Sequence, residues 1–298
     1  MKVPQEVLIK IFAMATRSRG SAASWILYQW RSKGWFEKQL YERVLLRDEE
    51  TASLFVQCLR RRDMHEEFAK TSVKSLSLSG DVQVSTIIDI LCLCTGINHL
   101  SLIPDHDDFQ SDIAPLLQLL DTLPLKVLSL QVAVQLTSPS ISNVTFFAKL
   151  THLEIDPSDM LQHADMACFP QLTHLSLWSS FHHPRDRIPS LVKRILCHPT
   201  LQVLIFRVTY HRNLAKFLDD NMLNDPRIVL APPKVYLWDD LGRSSMLLWE
   251  LAEERVASAE PNHSSSILSI MATFTNYTIQ TTIAALQGPC SRTESWIV

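Results

Sequence analysis

One phrase returns six times along this chain: VKSLSL (73–78), INHLSL (97–102), LKVLSL (125–130), LTHLEI (150–155), LTHLSL (172–177) and LQVLIF (201–206). Each reads apolar-x-x-Leu-x-apolar, and successive copies start 24, 28, 25, 22 and 29 residues apart. A phrase this short alternates its side chains between two faces when extended. It cannot bury its own leucines without a neighbour stacked on it, so the period predicts a solenoid of coils sharing one elongated core. The chain must return to the same end after each phrase, and helical spacing supplies most of the returns. Ile87, Ile88, Leu91 and Cys94 follow the first phrase, and Ile113, Leu116, Leu117 and Leu120 the second. Leu191, Ile195 and Leu196 follow the fifth, and Leu214, Phe217 and Leu218 the sixth. SPSISN (138–143), after the third, is loop chemistry. YERVLL (41–46) fits the strand template as an atypical first coil, and IVL (228–230) as a closing strand.

Composition excludes more than it assigns. An apolar fraction of 46% suffices for a continuous core, and a net charge of −3 gives no general pull towards nucleic acid or anionic membrane. With six glycines and neither GxGxxG nor GxxxxGK[ST], no phosphate loop is expected. GxSxG and HExxH are absent, and an open solenoid face excludes water poorly, so no enzyme, cofactor or metal is expected. Glu6 and Lys10 interrupt the first apolar residues, so they do not read as a secretory signal, and no stretch reads as a membrane span. The six scattered cysteines suit reduced thiols of the cytoplasm or nucleus.

Residues 1–45 differ from the repeats. VPQEVLIKIFAMA (3–15) puts Val3, Val7, Leu8, Ile11, Phe12 and Ala15 on one helical stripe, with Pro4 early in the helix, where its missing N–H is harmless. This opening resembles an F-box, whose usual form is Leu-Pro-x-Glu-(Ile/Val/Leu)-Leu-x-x-Ile-Phe. Trp30 followed by Arg31 matches the tryptophan closing that family's second phrase, although the middle here reads AASWILYQW (22–30). The recurring phrase resembles the strand of leucine-rich repeats, and residues 1–260 together resemble fungal, mushroom-type F-box and leucine-rich-repeat proteins. The resemblance implies an α/β fold: a leucine-rich-repeat solenoid with parallel strands on the concave side and helices outside, behind a small N-terminal helical F-box-like segment. It also implies binding of a Skp-family adaptor of a cullin-type ubiquitin ligase through Val3, Pro4, Glu6, Val7, Leu8, Ile11, Phe12 and Trp30. The repeats would then bind a protein client. The alternative is that the first helix only caps the solenoid, which then serves as a ligase-independent interaction scaffold.

The expected organisation is an F-box-like segment at 1–45, repeats at 46–232, a C-terminal capping helix within 233–260 and a poorly ordered tail at 261–298. DHDD (105–108) and HHPRDR (182–187) read as exposed loops. On the concave side the early rows are small, led by Ser75, Ser77 and Ser79, whereas later rows carry His152, Glu154, Asp156, His174, Trp178 and Arg207. Tryptophan and arginine are enriched among binding hot spots, so these six are the candidate client contacts. His152 and His174 fall on neighbouring strands about 4.8 Å apart. Stacked imidazoles are the favoured reading there, with a bridged metal as the alternative.

Overall fold

All six phrases form strands of one sheet. The computed structural model describes residues 38, 40–62, 64–104, 114–130, 145–155, 166–179, 188–208, 211–231 and 241–258. The strands are β1 (Arg43–Leu46), β2 (Ser75–Gly80), β3 (His99–Pro104), β4 (Val127–Leu130), β5 (His152–Ile155), β6 (His174–Ser179), β7 (Val203–Val208) and β8 (Ile228–Ala231). They form a single eight-stranded sheet in sequence order, every neighbouring pair parallel. This is an α/β architecture of the kind a repeat solenoid produces. The atypical first coil and the closing strand are both present as β1 and β8.

Register comes from leucine and from the main chain together. Leu76, Leu100, Leu128, Leu153, Leu175 and Leu204 are paired strand to strand. All six are fully buried. Leu78, Leu102, Leu130, Ile155, Leu177, Phe206 and Leu230 form a second row. Just before each of β2 to β6, one carbonyl accepts two consecutive N–H groups of the next coil. Lys74 O takes Asn98 and His99 at 3.0 and 3.1 Å, and Thr151 O takes Thr173 and His174 at 2.9 and 3.0 Å. Asn98, Lys126 and Thr173 repeat the pattern. Each coil is thus keyed to its predecessor before its first leucine is placed.

Two helices, α1 (Glu49–Arg60) and α2 (His65–Ser72), precede β2, and the later returns are helical where the spacing predicts: α3 (Val84–Leu93), α4 (Ala114–Thr122), α5 (Ile188–Leu196) and α6 (His211–Asp220). Around β5 the described parts of the returns hold the 3-10 turns Phe146–Lys149 and Met166–Cys168. Carboxylates cap across coils. Asp48 caps its own helix α1 through the Thr51 N–H at 2.7 Å. Glu49 accepts from the Gln83 N–H and the Thr86 hydroxyl at the start of α3, at 2.9 and 2.6 Å. Asp121 does the same for the Phe146 turn, accepting its N–H at 2.6 Å. Arg227, held by Asp225, donates back to the carbonyls of Leu196 and Leu201. At the end of α1, Arg60 pairs with Asp89 at 2.9 Å, and just beyond it Arg62 lies over the Phe68 and Tyr41 rings at 4.2 and 4.8 Å.

The last described helix, α7 (Leu241–Ser258), departs from the expected end cap. It crosses the other face of the sheet, packing against β1 and β2 at one edge and β7 and β8 at the other. At about 1.5 Å per residue its 18 residues extend about 27 Å, most of the width of such a sheet. No helix among the described residues is long and apolar enough to cross a membrane. The cysteines at 58, 92, 94, 168 and 197 are free thiols, and burial pushes that of Cys94 up to about 12. The F-box-like segment except Lys38 and 40–45, both candidate loops and the tail lie outside the described residues.

Gly96, between α3 and β3, sits where two coils come into close backbone contact. A Cβ there would stand 1.8 Å from the carbonyl oxygen of Lys70 in the preceding return. Backbone cannot swing aside as a side chain does, so Gly96→Ala is expected to destabilise the fold by about 1–3 kcal/mol in urea denaturation.

Candidate functional site

Alternation along each strand sends every second residue to the face that α7 crosses. Under that helix the face is graded. Its β2, β3 and β4 rows carry the buried serines Ser75, Ser77, Ser101 and Ser129, which leave room for a helix to approach. In β7 and β8 the same positions are Val203, Ile205, Val229 and Ala231, and they form a second apolar cluster with Leu248, Trp249 and Ala252 of α7. Between the two ends lies a polar centre.

Two constellations make up that centre. Glu154 on β5 and Arg207 on β7 form a buried ion pair, the guanidinium Nη1 donating to Oε1 of Glu154. Glu154 also accepts from the Ser129 hydroxyl at 2.9 Å. The pair reaches across β6, where the register puts Ser176 beside Glu154, and only a short side chain there leaves space. In the second constellation His152 and His174, register partners on β5 and β6, stack with ring centroids 4.1 Å apart and planes 7° apart. Trp249 of α7 stands edge-on to both, at 5.3 and 5.7 Å. Glu253, one turn on, brings Oε1 to 2.9 Å from Nε2 of His174.

Burial keeps the imidazoles neutral at pH 7. It lowers His152 to about 4, with His174 and then His99 adding repulsion. His99, on β3, is lowered to about 4 by burial and then by Arg43. His174 is lowered by burial against the opposing pull of Glu253.

No family model matches the chain, and neither a curated protein nor a solved structure matches it. The site therefore has to be read from its own chemistry. Among the described residues, His152, His174 and Glu253 are the one group of three or more His, Cys, Asp or Glu side chains whose ligand atoms all lie within 4.8 Å of one another.

The candidate client contacts divide accordingly. Glu154, His174 and Arg207 are present on the expected face but buried, and their polar groups are turned to one another or to α7. His152 is half-buried. The backbone of Trp178 pairs with that of Arg207, its side chain lying outside the described part, as does Asp156 altogether. The free concave surface expected from sequence is thus corrected to a face already covered by a helix of the same chain. Sequence reading missed Trp249 and Glu253 as members of the site. The signal was in β7 and β8: VLIF and IVLA are apolar at consecutive positions, as in strands covered on both faces, whereas SLSL of β2 alternates.

Removing one partner of a buried ion pair strands the other. Arg207→Ala should lower stability by about 3–5 kcal/mol in urea denaturation, and adding Glu154→Gln should restore part of the loss. His99 gives a pH signature. Its native imidazole stays neutral to about 4 while the unfolded one takes a proton near 6.5, so the unfolded chain binds more protons between those values. Stability is therefore expected to fall as pH drops through that window, by up to about 3 kcal/mol from this residue, and His99→Gln should flatten the pH profile.

Proposed function

We propose that this chain is a client-recruiting F-box adaptor of a Skp–cullin-type ubiquitin ligase, built on a leucine-rich-repeat solenoid. The observation that carries the reading is the VPQEVLIKIF opening placed just ahead of a sheet of in-register coils that starts at Arg43. An amphipathic helix bearing Pro4, Val7, Leu8, Ile11 and Phe12 suits a hydrophobic groove on a small adaptor, with Val3, Glu6 and Trp30 completing the phrase. Coils keyed to one another through main chain and leucine make a stiff platform, as substrate positioning demands. The same reading places the protein in the cytoplasm or nucleus. It predicts neither catalysis nor nucleic-acid or membrane binding by this chain.

The covered face changes where a client would sit. With α7 in place, the surface offered there is the outward side of that helix, including exposed Glu250 and Glu254. His152, Glu154, His174 and Arg207 become client contacts only when α7 lifts. The second reading, a ligase-independent interaction scaffold, is favoured by AASWILYQW, which lacks the Asp-Leu pair usual in an F-box.

Pull-down of the full chain with its Skp-family adaptor separates the two. The ligase reading expects wild-type binding and its loss in Leu8→Asp and Ile11→Asp variants whose unfolding midpoints are unchanged. Absence of wild-type binding overturns it and leaves the scaffold.

A further inference from the structure

We propose that His152, His174 and Glu253 form a binding site for one divalent transition-metal ion of the zinc class, held by two imidazole Nε2 atoms and one carboxylate oxygen, which clamps α7 to the sheet. The case begins with hydrogen-bond logic on the far side of each ring. Nδ1 of His174 lies 2.8 Å from the Thr173 hydroxyl, and that hydroxyl lies 3.0 Å from the carbonyl oxygen of Thr151. His152 repeats the arrangement: its Nδ1 is 2.9 Å from the Thr151 hydroxyl, itself 3.1 Å from the carbonyl oxygen of Lys126. A carbonyl can only accept, and a threonine hydroxyl has one hydrogen to give. The carbonyls of Thr151 and Lys126 already accept two N–H groups each, so the hydroxyl hydrogen can go either way: to the carbonyl, with Nδ1–H donating to the hydroxyl, or to Nδ1, with Nε2–H of His174 donating to Glu253. Metal binding selects the first arrangement, in which Nδ1 carries the proton on both rings and each Nε2 is left as a lone pair.

Those lone pairs face a carboxylate. Nε2 of His174 is closed off from solvent, with Glu253 Oε1 2.9 Å away. With the proton on Nδ1, two acceptors at that distance repel, and a cation between or beside them turns the repulsion into attraction. The parallel rings present both Nε2 atoms on the same side, and all three ligand atoms lie within 4.8 Å of one another. Zinc takes His nitrogen at about 2.0–2.1 Å and carboxylate oxygen at about 2.0–2.2 Å, which sets tetrahedral ligand atoms roughly 3.3 Å apart. Closing the remaining gap takes a turn of one ring about its Cβ–Cγ bond, a broad torsion.

The surroundings match what such a site uses. A ligating imidazole almost always donates its other N–H to an outer partner that fixes its tautomer, and here a threonine hydroxyl stands at each Nδ1 to accept it. Trp249 stands edge-on to both rings and limits access of water. Two nitrogens and one oxygen favour zinc, cobalt, nickel or copper over magnesium or calcium, and three protein ligands leave a fourth position for water. Because two ligands come from β5 and β6 and the third from α7, the ion would bind only the form with the helix down.

The test uses the full chain, stripped with chelator and titrated with Co²⁺ and with Zn²⁺ against a chromophoric competitor. The expected result is one equivalent of either metal, cobalt absorbing in the visible as a tetrahedral complex, and no displacement by excess Mg²⁺. His174→Ala and Glu253→Gln should each weaken binding by more than about 10-fold. Thr173→Val, which touches no ligand atom, should weaken it by about 10- to 100-fold through its outer-shell role. His99→Gln, outside the cluster, should bind as wild type does. Glu253 is half exposed, so its glutamine variant is expected to fold, which circular dichroism checks. No binding by the wild type overturns the proposal in favour of a proton on Nε2. Undiminished binding by Glu253→Gln and His174→Ala overturns it by placing the metal elsewhere.

Discussion

A leucine that can be buried only by the next coil's leucine is the constraint on which this molecule depends. Leu76 against Leu100, and so on to Leu204, is a chain of pairings in which no coil has a core of its own. The bifurcated carbonyls of Lys74, Asn98, Lys126, Thr151 and Thr173 make the stacking a matter of register as well as burial. A slip of one residue would turn every leucine to the opposite face. That is why a strand can be entered after a helix, as β3 is after α3, or after a 3-10 turn, as β5 is after Phe146–Lys149, without disturbance to the sheet.

A sheet has a second face, and the leucine ladder does nothing for it. At β2 the second face is serine and could stay wet. At β7 and β8 it is valine, isoleucine and alanine, which burial favours by roughly 25 cal/mol per Å² of apolar surface covered. The helix that follows β8 carries a matching stripe of Leu248, Trp249 and Ala252, so it folds back over the strands it has just left. Its further course runs over serines, where little side-chain volume stands in the way.

This division explains what could be read from the chain in advance. The strands, their order and direction, and most returns follow from a local phrase and its period. Both belong to the sequence as written. The location of α7 does not, because an amphipathic stripe states that a helix will be covered without stating by what. Val203 and Ile205, with IVLA of β8, gave a hint, but beside Leu204 and Phe206 they read as one more apolar phrase. His152 and His174 were legible as neighbours because repeat register alone aligns them. Glu253 was not, since 79 residues separate it from His174 and only the fold-back of α7 joins them. Glu154 and Arg207 looked like surface charges because each was considered without its partner two strands away.

Polar groups at the centre of an otherwise covered face also do something that apolar packing cannot. A stripe of Leu248, Trp249, Ala252 and Val256 over a smooth apolar strip would tolerate a shift of one helical turn. Buried ion pairs often add little net stability against apolar replacements of similar size, yet they penalise every arrangement that leaves a charge unpaired. Glu154 and Arg207 satisfy each other within the sheet, so they neither attract nor require the helix. Glu253 is different, because its partner lies on the sheet and its own position is set by the turn that also places Trp249 against both imidazoles. Register along α7 is thus set by one polar contact, and coverage by the apolar ones. A helix held in that way is fixed in place by few groups, so whatever neutralises or occupies the His152–His174–Glu253 cluster decides how firmly the face beneath stays closed.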